Sequence, residues 1–67
     1  MYFQRLRDLR EDDDKSQQRI ANMLNLSLSA YKRYENGTRE APAWVIVELA
    51  QYYKVSTDYL LGLTNKK

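Results

Sequence analysis

Residues 16–37, SQQRIANMLNLSLSAYKRYENG, decide how this chain folds. Ser16 reads as a helix N-cap, because a serine hydroxyl accepts a backbone N–H from the first helical turn. Gln17, Gln18 and Arg19 follow in that turn, with Arg19 at the Glu/Gln position of a capping box. Ile20, Ala21, Met23 and Leu24 form the expected inner face of this helix. Asn25 is the expected left-handed stop, since asparagine takes positive φ more readily than any residue but glycine. Leu26 then falls in a tight turn as a core plug, and Ser27 caps a second short helix. On that helix Tyr31 and Tyr34 face inward at i, i+3 spacing, and the outward side collects Leu28, Ser29, Lys32, Arg33 and Asn36. Gly37 ends it.

The same reading extends to both sides. A first helix over about residues 2–12 carries Phe3, Leu6, Leu9 and Arg10 at helical spacing. It ends in the acidic run EDDD (11–14), because carboxylates oppose the dipole at a helix C-terminus and Asp tolerates a left-handed residue. Beyond the polar loop 38–42, a fourth helix over about residues 43–53 offers Val45, Ile46, Leu49, Ala50 and Tyr53 to the core. Ser56 caps a last short helix, TDYLL, that Gly62 closes. The expected fold is therefore all-α, with five helices, no strands and short connections that suit a single compact bundle over residues 1–67.

Size and composition narrow the function classes. At 67 residues, the chain buries only about 60% of the surface that its unfolded form exposes, so it depends on a well-packed core. It has no cysteine and no histidine, which removes disulfides, thiolate metal sites and the commonest general base. No metal and no cofactor are expected. No glycine-rich phosphate loop exists among its two glycines, and its acids form one exposed run without partners, so an enzyme is not expected. No apolar run approaches the ~20 residues of a membrane span, and the start lacks a secretory apolar stretch. A soluble, cytoplasmic protein with no membrane partner is the expectation.

Net charge is only +2, but its distribution is uneven. Residues 1–14 hold three Arg against five acids, whereas residues 15–39 hold Lys15, Arg19, Lys32, Arg33 and Arg39 against Glu35 alone. The positive field is concentrated on the central helix pair and the loop after it. Such a patch steers toward phosphate even on a nearly neutral molecule.

Four segments, RLRDLRE (5–11), SQQRIANML (16–24), LSLSAYKRYENGTREAP (26–42) and VSTDYLLG (55–62), resemble the phage-repressor/Cro type of helix-turn-helix, the XRE family. YENG followed by a basic residue and a nearby proline is the strongest marker, with VSxDYLLG almost as strong. The resemblance implies a five-helix lambda-repressor-like domain with its helix-turn-helix at about residues 16–36. It implies binding to double-stranded DNA as a homodimer on inverted repeats, and transcriptional control, most readily repression.

Residue by residue, the resemblance places Gln17, with Gln18 beside it, at the start of helix two against a backbone phosphate, where helix amides also favour an anion. Leu28, Ser29 and Arg33 match positions that reach base edges, and Lys32 a flanking one. Arg33 suits the O6 and N7 of guanine, and Leu28 a thymine methyl. Asn36, Thr38 and Arg39 match phosphate-touching loop positions, and Arg10 and Glu35 match a structural ion pair. Asp14 and Asn25 depart from the family in standing where it favours glycine. Lys15 replaces a residue that is usually apolar. The Asp12–Asp14 run near the start of helix two is expected to face solvent, or to keep affinity modest.

Plainer readings stand beside these. Lys32 and Arg33 alone would fit a solvated helix face. Tyr31, Tyr34 and Tyr53 read as core rather than as a stacking platform for single strands. Trp44 and Tyr52 fit either a subunit interface or the edge of the core. Lys66–Lys67 reads as a frayed tail. An antitoxin-like protein, or a protein-binding module on the same fold, is the alternative function.

Overall fold

Three of the five helices begin on a serine whose hydroxyl accepts the N–H three residues on: Ser16 from Arg19 at 3.0 Å, Ser27 from Ala30 at 3.1 Å and Ser56 from Tyr59 at 3.0 Å. Each such cap contributes about 1 kcal/mol. The computed structural model describes residues 2–67. It contains α1 (Gln4–Asp12), α2 (Gln17–Met23), α3 (Leu28–Asn36), α4 (Ala43–Tyr53) and α5 (Thr57–Leu60). There is no strand among the described residues.

The helix ends share one device. After α1, α2, α4 and α5, a residue with positive φ (Asp14, Asn25, Lys54 and Gly62) reverses the chain. The next residue then donates its N–H to the carbonyl five positions back: Lys15 to Arg10 (3.1 Å), Leu26 to Ala21 (2.8 Å), Val55 to Ala50 (3.0 Å) and Leu63 to Asp58 (2.9 Å). This is the Schellman arrangement, which satisfies carbonyls that a helix end leaves without partners. The turns at Asp14 and Asn25 follow the sequence reading. The one at Lys54 has no signal in the residue itself, because nothing in a lysine side chain favours φ of 59°.

The core takes Phe3, Leu6 and Leu9 from the α1 region, Ile20, Ala21 and Leu24 from α2, Tyr31 from α3, Val45, Ile46, Leu49 and Ala50 from α4, and Leu60 from α5. Leu26, Tyr34 and Tyr53 pack partly buried against it. α2 packs on α3, α1 bridges α3 and α5, and α4 lies against α5.

Two expectations are corrected. Met23 is exposed rather than inward. At 100° per residue it lies roughly 100° from the mean direction of Ile20, Ala21 and Leu24, beyond the buried arc. α1 starts at Gln4, not Tyr2: Phe3 is extended, with φ −105° and ψ 89°, and its side chain enters the core. The tail is also less free than expected. Arg5 donates to the Tyr59 carbonyl (2.7 Å), the Thr64 carbonyl and the Asn65 side chain (2.7 Å), and stacks 4.0 Å from the centre of the Tyr59 ring. Ser56 N–H donates to the Lys67 carbonyl at 2.8 Å, so the backbone of the last residues docks while both lysine side chains stay exposed.

Gly37 is required twice over. Its φ is +81°, and a Cβ there would stand 2.9 Å from the Cβ of Tyr2. Gly37→Ala is therefore expected to destabilise by more than about 1 kcal/mol. Lys54→Gly should stabilise by about 0.5–1 kcal/mol, because it relieves a left-handed lysine. Thermal melts check both, since 1 kcal/mol moves Tm by about 4–8 °C in a domain of this size.

Candidate nucleic-acid interface

Of the nine residues of α3, only Tyr31 and Glu35 are buried. The helix is buried along one narrow edge, with Tyr34 partly covered beside it, and its opposite side is open. Leu28, Ser29, Lys32, Arg33 and Asn36 spread over roughly 140° of its circumference at 100° per residue. Ser29, Lys32, Arg33 and Asn36 are exposed and Leu28 is half-buried. Leu28, Ser29, Lys32 and Arg33 line one shallow depression. Among the described residues the ion pairs are Arg7–Glu11 and Arg10–Glu35, so Lys32, Arg33 and Arg39 keep their charge unpaired.

The loop after α3 is tied to it. Asn36 Oδ1 accepts the Thr38 N–H at 2.9 Å, and the Arg39 N–H donates to the Arg33 carbonyl at 3.1 Å. Thr38 and Arg39 are thereby held, exposed, at the end of the helix. The Asn36 amide N–H groups are left to other partners.

Beneath this face lies a cluster of polar side chains. Arg10 forks onto Glu35, Nε to Oε2 at 2.8 Å and Nη2 to Oε1 at 2.9 Å, and its Nη1 donates to the Lys15 carbonyl at 2.8 Å. One guanidinium thus joins α1, the α1–α2 corner and α3. Gln17 Nε2 donates to the same Glu35 carboxylate at 3.1 Å, which leaves its second N–H for a ligand. Gln18 is exposed and donates along its own helix to Asn22 Oδ1 at 2.8 Å. Asp12, Asp13 and Asp14 are all exposed, and Asp13 accepts a 3.3 Å bond from the Tyr52 hydroxyl of α4.

The ionisation of the cluster follows from its geometry. Burial by itself would raise the Glu35 pKa, but the hydrogen bonds and charge of Arg10, the Gln17 amide and the nearby Tyr31 hydroxyl dipole together hold it below the ordinary value. Arg10 is shifted up, chiefly by its bond to Glu35. Tyr31 and Tyr53 are pushed well above the usual phenol range, mainly by burial. Both hydroxyls are buried without a hydrogen bond of normal geometry.

A polar groove of about 520 Å³ opens beside the cluster, lined by Tyr2, Arg7, Arg10, Gln17, Lys32, Glu35 and Asn36. It joins three residues singled out for phosphate or base contact, Gln17, Lys32 and Asn36, to two from the α1 region, Tyr2 and Arg7, that sequence reasoning missed. Arg7 falls within the RLRDLRE segment but has no role assigned there, because only the packing of α1 against the end of α3 brings it and Tyr2 to the groove. The link from Gln17 to Glu35 had a faint signal. Gln17 precedes Ile20 by three and Ala21 by four residues, so it starts on the inner side of α2.

Two packed helices, a tight turn between them and an open second helix define a helix-turn-helix. The chain belongs to the helix-turn-helix domain family, whose match covers residues 3–66. It is 40% identical over 65 residues to the uncharacterized HTH-type transcriptional regulator YobD of Bacillus subtilis (strain 168), covering 97% of this chain and 58% of that protein. It is 33% identical over 62 residues to the cryptic phage CTXphi transcriptional repressor RstR of Vibrio cholerae, covering 92% and 56%. With the HTH-type transcriptional regulator ImmR of Bacillus subtilis (strain 168) it shares 34% identity over 58 residues, covering 87% and 46%. The chain thus spans about half to three fifths of the length of these relatives. No solved structure matches it.

Arg10→Met leaves a buried carboxylate without its cation and is expected to lower stability by about 3 kcal/mol, with much of the loss recovered in Arg10→Met/Glu35→Met. Urea melts of the single and double variants measure both. Because the folded-state pKa of Glu35 lies below the ordinary 4.5, the unfolded chain binds the proton first as the pH falls. The contribution of Glu35 is complete above about pH 4.5 and is lost as the pH drops through the lowered folded-state value. Stability measured from pH 6 to 3 should therefore fall less steeply in Glu35→Gln than in the wild-type chain.

Proposed function

We propose that this chain is the DNA-reading domain of a transcriptional repressor that binds double-stranded DNA as a homodimer on inverted repeats, with α3 in the major groove. The observation that carries this reading is the outer face of α3, where Lys32 and Arg33 stand exposed and unpaired beside Leu28 and Ser29 on a helix buried only at Tyr31 and Glu35. A helix held by so narrow an edge is free to enter a groove about 12 Å wide. In this reading Arg33 forks onto guanine, Leu28 meets a thymine methyl, Ser29 is permissive and Lys32 flanks them. Gln17, Gln18, Asn36, Thr38 and Arg39 grip phosphates on either side.

The repression called for by this reading is supported by the likeness to RstR, whose name is that of a transcriptional repressor. No helix among the described residues is long and apolar enough to cross a membrane, which fits a cytoplasmic regulator. A second reading is a protein-binding or antitoxin-like module. It is favoured by Trp44 and Val47, two exposed apolar side chains one turn apart on α4. On an inverted repeat the same pair would serve contact with a second copy.

Selection of bound sequences from a random duplex pool at near-physiological salt tests the proposal. An inverted repeat with half-sites about one helical turn apart is the expected result. A folded protein that enriches no sequence would favour the protein-binding reading. Arg33→Ala should lower affinity for the selected site far more than for random DNA, whereas Gln17→Ala should weaken both alike. Equal losses on both duplexes from Arg33→Ala would reject its base-reading role. Affinity should also fall steeply with salt, and a flat response would argue against an interface of this kind.

A further inference from the structure

We infer that the groove between α1 and the end of α3 seats a phosphate of the DNA backbone, and that Arg7, released from Glu11, is the cation that grips it. The inference rests on the DNA-binding reading above and extends the interface to α1. Two contacts fix where Arg7 stands. At one end of α1, Tyr2 lies so close to Gly37 that a Cβ there would approach within 2.9 Å. At the other, Arg10 forks onto Glu35 at 2.8 and 2.9 Å. Arg7 lies between these two fastenings, one turn before Arg10 on the same face of α1, and it lines the groove together with Lys32, Gln17 and Asn36.

The charge balance of the groove suits an anion. Arg10 and Glu35 neutralise each other inside it, which leaves Arg7 and Lys32 as the other cations of its lining. The remaining N–H of Gln17 and the amide of Asn36 are neutral donors on the same wall. Arg7 does have a partner, Glu11 at 3.2 Å, but both side chains are more than half exposed. An exposed i, i+4 pair contributes little to stability, so exchanging a carboxylate for a phosphodiester costs little. Guanidinium also matches phosphate oxygens in a two-pronged geometry that an ammonium lacks. Glu11 then acts as an internal competitor for the site.

The test measures salt-dependent affinity for a selected duplex and for random DNA with the wild-type chain, Arg7→Gln, Glu11→Gln, the double variant and Lys66→Gln. All these positions are on the surface. Arg7→Gln should reduce the slope of log K against log salt by about 0.9, the loss of one phosphate contact, and leave the preference between duplexes unchanged. Lys66→Gln, which removes the same charge outside the groove, should change the slope much less. Glu11→Gln should tighten binding several-fold, and that gain should vanish in the Arg7→Gln background. An unchanged slope in Arg7→Gln would overturn the inference while wild-type binding left the DNA reading standing. So would equal slope changes in Arg7→Gln and Lys66→Gln, or a Glu11→Gln gain that persists without Arg7. A folded wild-type chain that binds neither duplex would overturn both.

Discussion

The ion pair between Arg10 and Glu35 is the contact on which the other parts of this domain converge. Glu35 is one of two residues that bury α3, and it is charged. It stays ionised there only because a guanidinium, an amide and a tyrosine environment surround it. The same guanidinium also holds the Lys15 carbonyl. The angle of α3 to α1 and the position of the start of α2 are therefore set by one planar, five-donor side chain. A hydrophobic pair of the same volume would pack as well but would not fix direction. Forked hydrogen bonds do, and a helix that enters a groove needs its direction fixed.

Around that centre the fold is built by repetition. Serine starts three of the five helices by accepting the N–H three residues on, a left-handed residue follows every one, and at four of those ends the next N–H returns to the carbonyl five positions back. These local devices matter because the helices are short, from 4 to 11 residues, and helices of that length are not stable alone in water. Their ends carry most of their unsatisfied backbone groups, so satisfying the ends and burying one edge accounts for nearly everything that holds each helix in place. The thin buried edge of α3 follows from the same economy. Tyr31, with Tyr34 partly buried beside it, supplies the apolar surface that anchors it, and Ser29, Lys32, Arg33 and Asn36 are left exposed.

Glu35 also shows how structure and proposed function share residues. Gln17 uses one N–H on Glu35 and in the proposed reading offers the other to a phosphate, so the framework that orients α3 would also aim a donor at the DNA backbone. The groove beside it adds Tyr2, which precedes α1, and Arg7 of α1 to that surface. The interface proposed for this chain is thus a product of three helices rather than of the helix pair alone.

Much of this was readable from residues 16–37 and their flanks. Ser16, Ser27 and Ser56 as caps, Asp14 and Asn25 as left-handed stops, and the outward set Leu28, Ser29, Lys32 and Arg33 all follow from local rules, because a cap, a turn or a helix face involves residues within four positions of each other. Met23, Phe3, Lys54 and Arg7 were not readable in the same way. Met23 lies at the margin of its face, where only the width of the neighbouring helix decides burial. Phe3 stands before α1 with its side chain in the core, and Lys54 takes positive φ where the Val55 N–H closes α4 on the Ala50 carbonyl. Arg7 gains its place from the close approach of Tyr2 to Gly37. What the sequence by itself determined, then, is the span of each helix to within a residue or two and most of the residues on its buried face, since short-range chemistry is enough for that. What only the tertiary structure decided is which side chains from different helices share one surface, because that depends on angles and distances between elements that no local spacing encodes.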